Sequence, residues 1–356
     1  LFLYSNRYIT DSRIFYLLNT VIVVKYVPQL IFCLGFIVDY LFFVPVYVFA
    51  HYDIRRNMLI TRFMGIIGAL LCGSYIWGIL KGRNSVRVRY LTLYFDNLPE
   101  GFEGTSIAFF SDLHAGSYDR FSWDGFVSLI RMLKSLNAEI IIFGGDWINY
   151  RAEELVDFYE FLRDCEAPLG KFSVLGNHDY GEYYPWSSPL EKRENMRKLK
   201  NFIEGMGFLS LDNSSVIITK GNESIAICGC EYWGRSLQEK RGDIDKAVSG
   251  VSDVPFKILI THDPSHYTDL IEGKYDIALV LSGHTHGFQM GFNFDGFKWS
   301  PVKYSYKHWA GLYKTSSGYH YVSTGVGTVG YMGRVGFLPE VVLIILRKKS
   351  GTEKAT

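Results

Sequence analysis

The sequence predicts an α/β layered domain preceded by membrane-spanning helices, and three observations carry that prediction. From about Val86 onward, apolar strand-like runs alternate with segments of helical periodicity. Residues 1 to 80 are different in kind, with two long runs almost free of charge. Nearly all of the short motifs of His, Asp and Asn follow an apolar strand-like run, and ligands at the carboxyl ends of successive strands of one sheet would converge in space. At 356 residues the chain exceeds one average domain. Composition divides it into a membrane region at 1–83, a globular domain at 84–349 and a tail at 350–356.

Taken in chain order, Pro28 to Ala50 is 23 residues interrupted only by Asp39, and Phe63 to Leu80 is 18 residues without charge. Each is long enough to span a bilayer, so spans are expected at about 28–50 and 63–80. Ile14 to Val27, broken by Lys25, is too short to stand alone and reads as the end of a further span. The chain begins at Leu1 rather than Met, so two spans are taken as a lower bound. A basic loop between the runs argues against a single signal peptide. Asp39 would be costly facing lipid and is expected to face another helix or an aqueous path. Arg55, Arg56 and Arg62 on one side oppose Lys81 and Arg83 on the other, which leaves the orientation undecided. Arg87 and Arg89 alternate with Val86, Val88 and Tyr90 and belong to the outer face of a first strand.

Strands are predicted over Ser106–Phe110, Ile140–Phe143, Phe172–Leu175, Ser224–Cys230, Ile258–Ile260 and Ile277–Leu281. Helical spacing appears over Ser122–Leu136, Ala152–Cys165 and Glu194–Met206. After Phe208 the strands shorten, with Asn222 at a turn, so a second sheet packed on the first is expected. The five cysteines are scattered and form no disulfide framework; Cys228 and Cys230 share one face of a strand and read as core. With 37 Lys+Arg against 36 Asp+Glu, bulk charge excludes no small substrate but does not favour nucleic acid.

The motifs are Ser111-Asp112-Leu113-His114, Gly144-Gly145-Asp146, Gly176-Asn177-His178-Asp179, Thr261-His262-Asp263 and Gly283-His284-Thr285-His286. Five of nine histidines fall within them, and their combined oxygen and nitrogen donors suffice for two divalent ions. Asp112 and His114 alternate on a strand and reach one ion only if the backbone turns, which Ala115-Gly116 would allow. Gly144-Gly145 lets the backbone approach closely, and Asp146 after it is suited to bridge two cations. Two such ions clamp a phosphoryl group and make hydroxide available near neutral pH. Asn177 offers a neutral carbonyl oxygen. His178, adjacent to it and pointing elsewhere, suits protonation of a leaving oxygen, and Asp179 is expected to orient that imidazole. His262, His284 and His286 complete the shells, the His-x-His pair serving two neighbouring ions from one side of an extended segment.

This ordered set resembles the calcineurin-like metallophosphoesterases, over about Val86 to Arg347. The resemblance implies a four-layered α/β/β/α sandwich and two divalent ions, with Mn, Fe and Zn all suited. It implies that Asp112, His114, Asp146 and His286 hold the first ion. Asp146, Asn177, His262 and His284 would hold the second, Asp146 bridging and His178 acting as catalytic acid. Ser282 to Gln289, Ser323 to Gly327, Arg334 and Leu338 to Glu340 look like a membrane-associated bacterial branch of phosphodiesterases, which includes hydrolases of UDP-diacylglucosamine. Phe288 departs from that branch, which often has a second Gly there.

The expected substrate is therefore a phosphoester, amphiphilic or lipid-linked, and the expected location a bacterial inner membrane, with membrane lipid as partner and no nucleic acid. Cleavage of a lipid or nucleotide-linked pyrophosphate is the alternative; a non-catalytic metal-containing scaffold is a third reading. Tyr180 to Pro189 reads as an aromatic lid over the substrate or as a surface loop anchored by Trp186. Trp147, Trp233 and Trp309 read as cleft or core, and Arg334 as a phosphate contact or a surface ion pair. His266, His308 and His320 are not needed as ligands.

Overall fold

The computed structural model describes residues 12–50, 58–235, 240–294 and 296–349. The loop arginines Arg55 and Arg56 and the tail from residue 350 lie outside them.

Helix α1 (Ser12–Val21) passes through one π-helical turn at Ile22–Tyr26 straight into α2 (Val27–Ala50), and α3 (Leu59–Leu80) packs beside it. Ile14 to Val27 is thus the start of the same rod and not the end of a separate span. Two stretches are long and apolar enough to cross a membrane, Tyr16–Phe49 and Leu59–Asn84. The helices touch through glycines: a Cβ on Gly68 would lie 3.0 Å from the Pro28 carbonyl oxygen. Asp39 faces the partner helix, accepting from the Thr61 backbone N–H at 2.6 Å and from its hydroxyl at 2.5 Å. It supplies an acceptor to the otherwise unpaired first turn of α3.

The globular part holds two six-stranded sheets. The first runs β1 (Arg87–Phe95), β14 (Glu340–Lys348), β2 (Ser106–Phe110), β3 (Ile140–Phe143), β4 (Lys171–Ser173), β5 (Phe208–Ser210). The second runs β12 (Gly311–Lys314), β13 (Tyr319–Val322), β9 (Leu279–Ser282), β8 (Lys257–Ile260), β7 (Glu223–Gly229), β6 (Ser214–Lys220). β2, β3 and β4 are mutually parallel, as are β7, β8 and β9. Between the sheets lies a continuous apolar core including Phe109, Ile142, Ile227, Ile258, Leu281 and Val342. Burying each such side chain stabilises the fold by roughly 1.5–3 kcal/mol. α4 (Trp123–Ser135) and α6 (Pro189–Gly205) cover the outer face of the first sheet through Phe126, Leu129, Leu133, Leu199 and Ile203. On the second sheet, Ile244 and Ala247 of α7 (Ile244–Val248), with Tyr267 and Ile271, cover Ala226, Cys228 and Val280. The layers are therefore helix, sheet, sheet, helix. All five cysteines are free thiols.

Two predicted helices differ in extent. Ala152–Cys165 is broken into a 3₁₀ turn at Ala152–Leu155 and a short helix α5 (Tyr159–Arg163), because Glu154 turns its carboxylate back onto the N–H groups of Asn149, Tyr150 and Arg151. α6 starts at Pro189, five residues early, where Ser188 caps it by accepting from Glu191 N–H. Outside both sheets, β10 (Phe292–Phe294) and β11 (Phe297–Trp299) form a hairpin with Phe292, Phe294 and Phe297 exposed.

Candidate metal centre

The expectation that the motifs end strands of one sheet is corrected by the topology. Asp112, Asp146 and Asn177 follow β2, β3 and β4 of the first sheet, whereas His262 and His284 follow β8 and β9 of the second. Face-to-face stacking brings the two sets together: His284 N–H donates to Asp112 Oδ1 at 2.9 Å, and His262 Nε2 lies 3.1 Å from Asp146 Oδ2.

The backbone does the aiming. Asp112, His114, Asp146, His284 and His286 all have positive φ, between 46° and 70°. Single non-glycine residues pay for that conformation and tend to adopt it at functional sites. The turn expected at Ala115-Gly116 occurs instead at Asp112 and His114 themselves. Likewise His284-Thr285-His286 is not extended; its two left-handed residues send the rings into different donor groups.

Three groups of ligand-type atoms result: Asp112, His114 and His286; His114, Asp146 and His178; and Asp146, His262 and His284. Asn177 joins the third, its Oδ1 2.9 Å from His284 Nδ1. His114 Nε2 stands 3.1 Å from His286 Nε2 and 3.4 Å from Asp146 Oδ2. Burial, the largest influence, holds the imidazoles of His114 and His286 well below the usual histidine range, so both are neutral and ligand-competent. Burial would raise the Asp146 carboxyl, but His262, His178 and His114 around it hold it well below the usual range. Burial opposes a charge on His262 as well, yet Asp146 and Asp112 push it up to about 10. Burial pushes Asp112 up to about 6.

The donor set fits a cation on independent grounds. Asp112 Oδ2 is buried with no hydrogen-bond partner, which is costly for a group that nothing else is to satisfy, and His262 Nε2 is buried facing the Asp146 carboxylate at 3.1 Å. His262 Nδ1 lies 2.7 Å from the Gly144 carbonyl and donates to it, so a metal at Nε2 would take the place of the proton that Asp146 stabilises there. His286 fits less directly. The Arg334 guanidinium reaches its Nδ1 at 3.0 Å and can only donate, so a cation at Nε2 requires that contact to be given up.

Two expected roles are corrected. Asp179 does not orient His178; it accepts from the N–H groups of Asp146, Trp147, Ile148 and Gly176 and so holds the Asp146 and Asn177 loops together. His178 is oriented by the backbone, its Nδ1 2.9 Å from the Asn149 carbonyl. Arg334 is neither a pocket residue nor on the surface. It is fully buried, donating to the carbonyls of Gly327, Thr324 and Phe337, and burial lowers it to about 10, still a cation at neutral pH.

In the Tyr180–Pro189 loop, Trp186 folds back to donate to Gly181 O at 2.6 Å, which matches the anchored-loop reading. Tyr183 is the ring of this loop that reaches the site, accepting from Asn177 Nδ2 and lying 4.6 Å from the His178 ring. Trp147, Trp233 and Trp309 are buried against Phe143, His266 and Phe337, away from the donor groups. His266, and the pair His308 and His320, are bonded outside the donor groups. Sequence reasoning missed Asn149, Asp263 and Tyr306; the last two flank His284 Nε2 at 3.3 and 3.0 Å. Asn149 sits three residues after Asp146, the one available signal.

Gly176→Ala tests how tightly the loops are fitted. A Cβ there would lie 2.6 Å from Asp146 N and closer still to its carboxylate. Overpacking of this kind costs about 1–3 kcal/mol, so a lowered melting temperature with reduced metal content is expected. A variant with wild-type melting and metal content would show that the loop has slack.

A family model described as calcineurin-like phosphoesterase matches residues 105–288. The chain is 28% identical over 307 residues to the uncharacterized metallophosphoesterase YkuE of Bacillus subtilis, covering 82% of this chain and 97% of that one. It is 26% identical over 341 residues to a Danio rerio transmembrane protein with metallophosphoesterase domain, covering 89% and 72%. Among solved structures, the NAD nucleotidase of Haemophilus influenzae is similar at 14% identity and a TM-score of 0.41, over 62% of this chain and 45% of that one.

Proposed function

The chain belongs to the calcineurin-like phosphoesterase family, and on that premise we propose that it is a membrane-anchored hydrolase of a phosphodiester or pyrophosphate bond working with two divalent ions. Asp112, His114, Asp146 and His286 would hold one ion, and Asp146, Asn177, His262 and His284 the other. The observation that carries this reading is Asp146: its carboxylate belongs to two donor groups at once, with His114 and His178 in one and His262 and His284 in the other. Divalent cations bound there polarise a phosphoryl oxygen and activate water near neutral pH.

The chain's own residues do the rest. His178 Nδ1–H donates to Asn149 O, which leaves Nε2 as the atom that exchanges a proton with a leaving oxygen. Its backbone N–H donates to Asp146 Oδ1 at 2.9 Å, so the proton-transfer group and the shared carboxylate move as one unit. The hydroxyls of Tyr183 and Tyr306 bond Asn177 and His284 and so fix these two side chains from the outside. A scaffold would need none of this alignment at His178.

An amphiphilic, lipid-linked substrate is supported by position. Phe288, two residues past His286, is exposed, as are Phe292, Phe294, Phe297 and Tyr304. Gly291 N–H donates to Val335 O, and Val335 packs where a Cβ on Gly78 of α3 would stand, which ties this aromatic surface to the end of a membrane helix. Aromatic rings favour the bilayer interface.

Removing metal should abolish hydrolysis of an activated aryl phosphodiester by the whole chain in detergent, and adding Mn²⁺ back should restore it. Full activity after exhaustive chelation would overturn the proposal. In vesicles, a lipid phosphodiester should be cleaved in preference to the soluble one; equal rates would remove the lipid part of the reading.

A further inference from the structure

We infer that the N-terminal helix is part of the metal centre: Tyr16, acting through Asn149, positions the His114 imidazole. The inference rests on the reading of His114 as a metal ligand.

The stretch Tyr16–Phe49 is 34 residues. At ~1.5 Å per residue it is about 50 Å long, well beyond a hydrocarbon core of ~30 Å. Some of its length must therefore lie outside the lipid, and α1 spends it on the globular domain. Tyr16, Asn19 and Thr20, at i, i+3 and i+4, are buried, whereas Ile14, Leu17, Leu18, Val21 and Ile22 are exposed. The polar stripe faces the protein and the apolar one faces outward, the reverse of a helix on a water-soluble surface. An anchor alone needs no such stripe.

What the stripe meets is the loop layer that carries the ligands. α1 packs on Ala115–Ser117, directly after His114. Thr20 Oγ1 accepts from Met332 N–H at 3.1 Å. The Tyr16 hydroxyl, 2% exposed as a residue, bonds the side-chain amide of Asn149. That amide lies 3.4 Å from His114 Nδ1, and the Asn149 backbone carbonyl holds His178 Nδ1. One asparagine thus joins the membrane helix to a ligand and to the proton-transfer group.

The orientation of the amide decides what it does. As placed, Nδ2 faces Tyr16 and His114, while Oδ1 is buried without a partner. The two ends of an amide have almost the same shape, and the hydrogen-bond network chooses between them. Turned over, Oδ1 accepts from both the Tyr16 O–H and the His114 Nδ1–H. Only that arrangement puts the His114 proton on Nδ1 and leaves Nε2, beside Asp146 and His286, with a free lone pair. The Tyr16 hydroxyl also bonds the Tyr150 hydroxyl, and with Tyr150 donating to it the Tyr16 proton goes to the amide, which favours the oxygen on that side.

α3 braces the other end of the same donor group. Arg334 N–H donates to Gly78 O at 3.1 Å, Tyr331 O–H donates to Tyr75 O at 2.6 Å, and a Cβ on Gly82 would collide with the Arg334 carbonyl. The Asp146, His262 and His284 group is held instead by Gly144, Asn177 and Tyr306, all within the globular part. The membrane helices therefore support one metal position and not the other.

The test uses the whole chain in detergent micelles, loaded with Mn²⁺ and dialysed against rising chelator, with retained metal and melting temperature measured at each step. In Tyr16→Phe, one of two ions should be lost at a chelator concentration about 10-fold lower than in wild type, the scale of outer-shell effects, while the other ion and the melting temperature stay as they were. Asn149→Asp in the Tyr16→Phe background should restore retention, because a carboxylate accepts from His114 Nδ1–H in either orientation. Unchanged retention of both ions, equal weakening of both, or a lowered melting temperature without the selective loss would overturn the inference. Wild-type protein that retains no Mn²⁺ would instead overturn the reading on which it rests.

Discussion

Asp146→Asn is expected to release metal and to lower phosphodiester hydrolysis by more than the roughly 10–100-fold that outer-shell changes produce. The substitution keeps shape and one carbonyl oxygen, so the bond from His178 N–H to Oδ1 can persist. It removes the negative charge shared by two donor groups and turns an N–H₂ toward His262 Nε2 or His114 Nε2, which stand 3.1 and 3.4 Å from Oδ2. A site made mostly of neutral imidazoles then has little to hold two cations together. Metal analysis beside a rate measurement checks this. An Asn variant with both ions and near-wild-type rate would show that Asp146 is not shared between them.

His178→Ala is expected to keep its metal while turnover falls by about 10²–10⁴-fold, the range typical of a lost acid–base group. Geometry makes the experiment decisive, because His178 also lies within ligand distance of His114 and Asp146. A ligand lost would take an ion with it; an acid lost would not. Leaving groups provide the second readout. Substrates expelling a poor alkoxide should suffer much more than those expelling an activated phenolate, which needs no proton. Equal losses on both, or metal depletion as deep as in Asp146→Asn, would remove His178 from the role of acid.

These residues were legible in the sequence because ligand chemistry is local. Gly144-Gly145-Asp146 and His284-Thr285-His286 announce close backbone approach and paired donors within three residues, and the strand-like runs before them are read from apolar content alone. The long uncharged run from Phe63 to Leu80 is equally plain, since a bilayer selects composition before shape. Asp179 was misread for the same reason. Adjacency suggested that it serves His178, whereas its carboxylate is folded under the loop onto four backbone N–H groups, three of them more than thirty residues away.

The sequence by itself marked the His, Asp and Asn side chains that the fold gathers, two runs long and apolar enough to cross a membrane, and the alternation of strand and helix, because each depends on side-chain chemistry or on a short periodicity. Only the tertiary structure decided that the donors come from two stacked sheets, and that left-handed backbone at Asp112, His114, Asp146, His284 and His286 aims them. It alone buried Arg334 among carbonyls and set Tyr16 against Asn149, 133 positions along the chain. Such contacts leave no local pattern. They arise from where packing brings distant segments to rest, and a polar residue on an otherwise apolar helix acquires its meaning only from what it meets there.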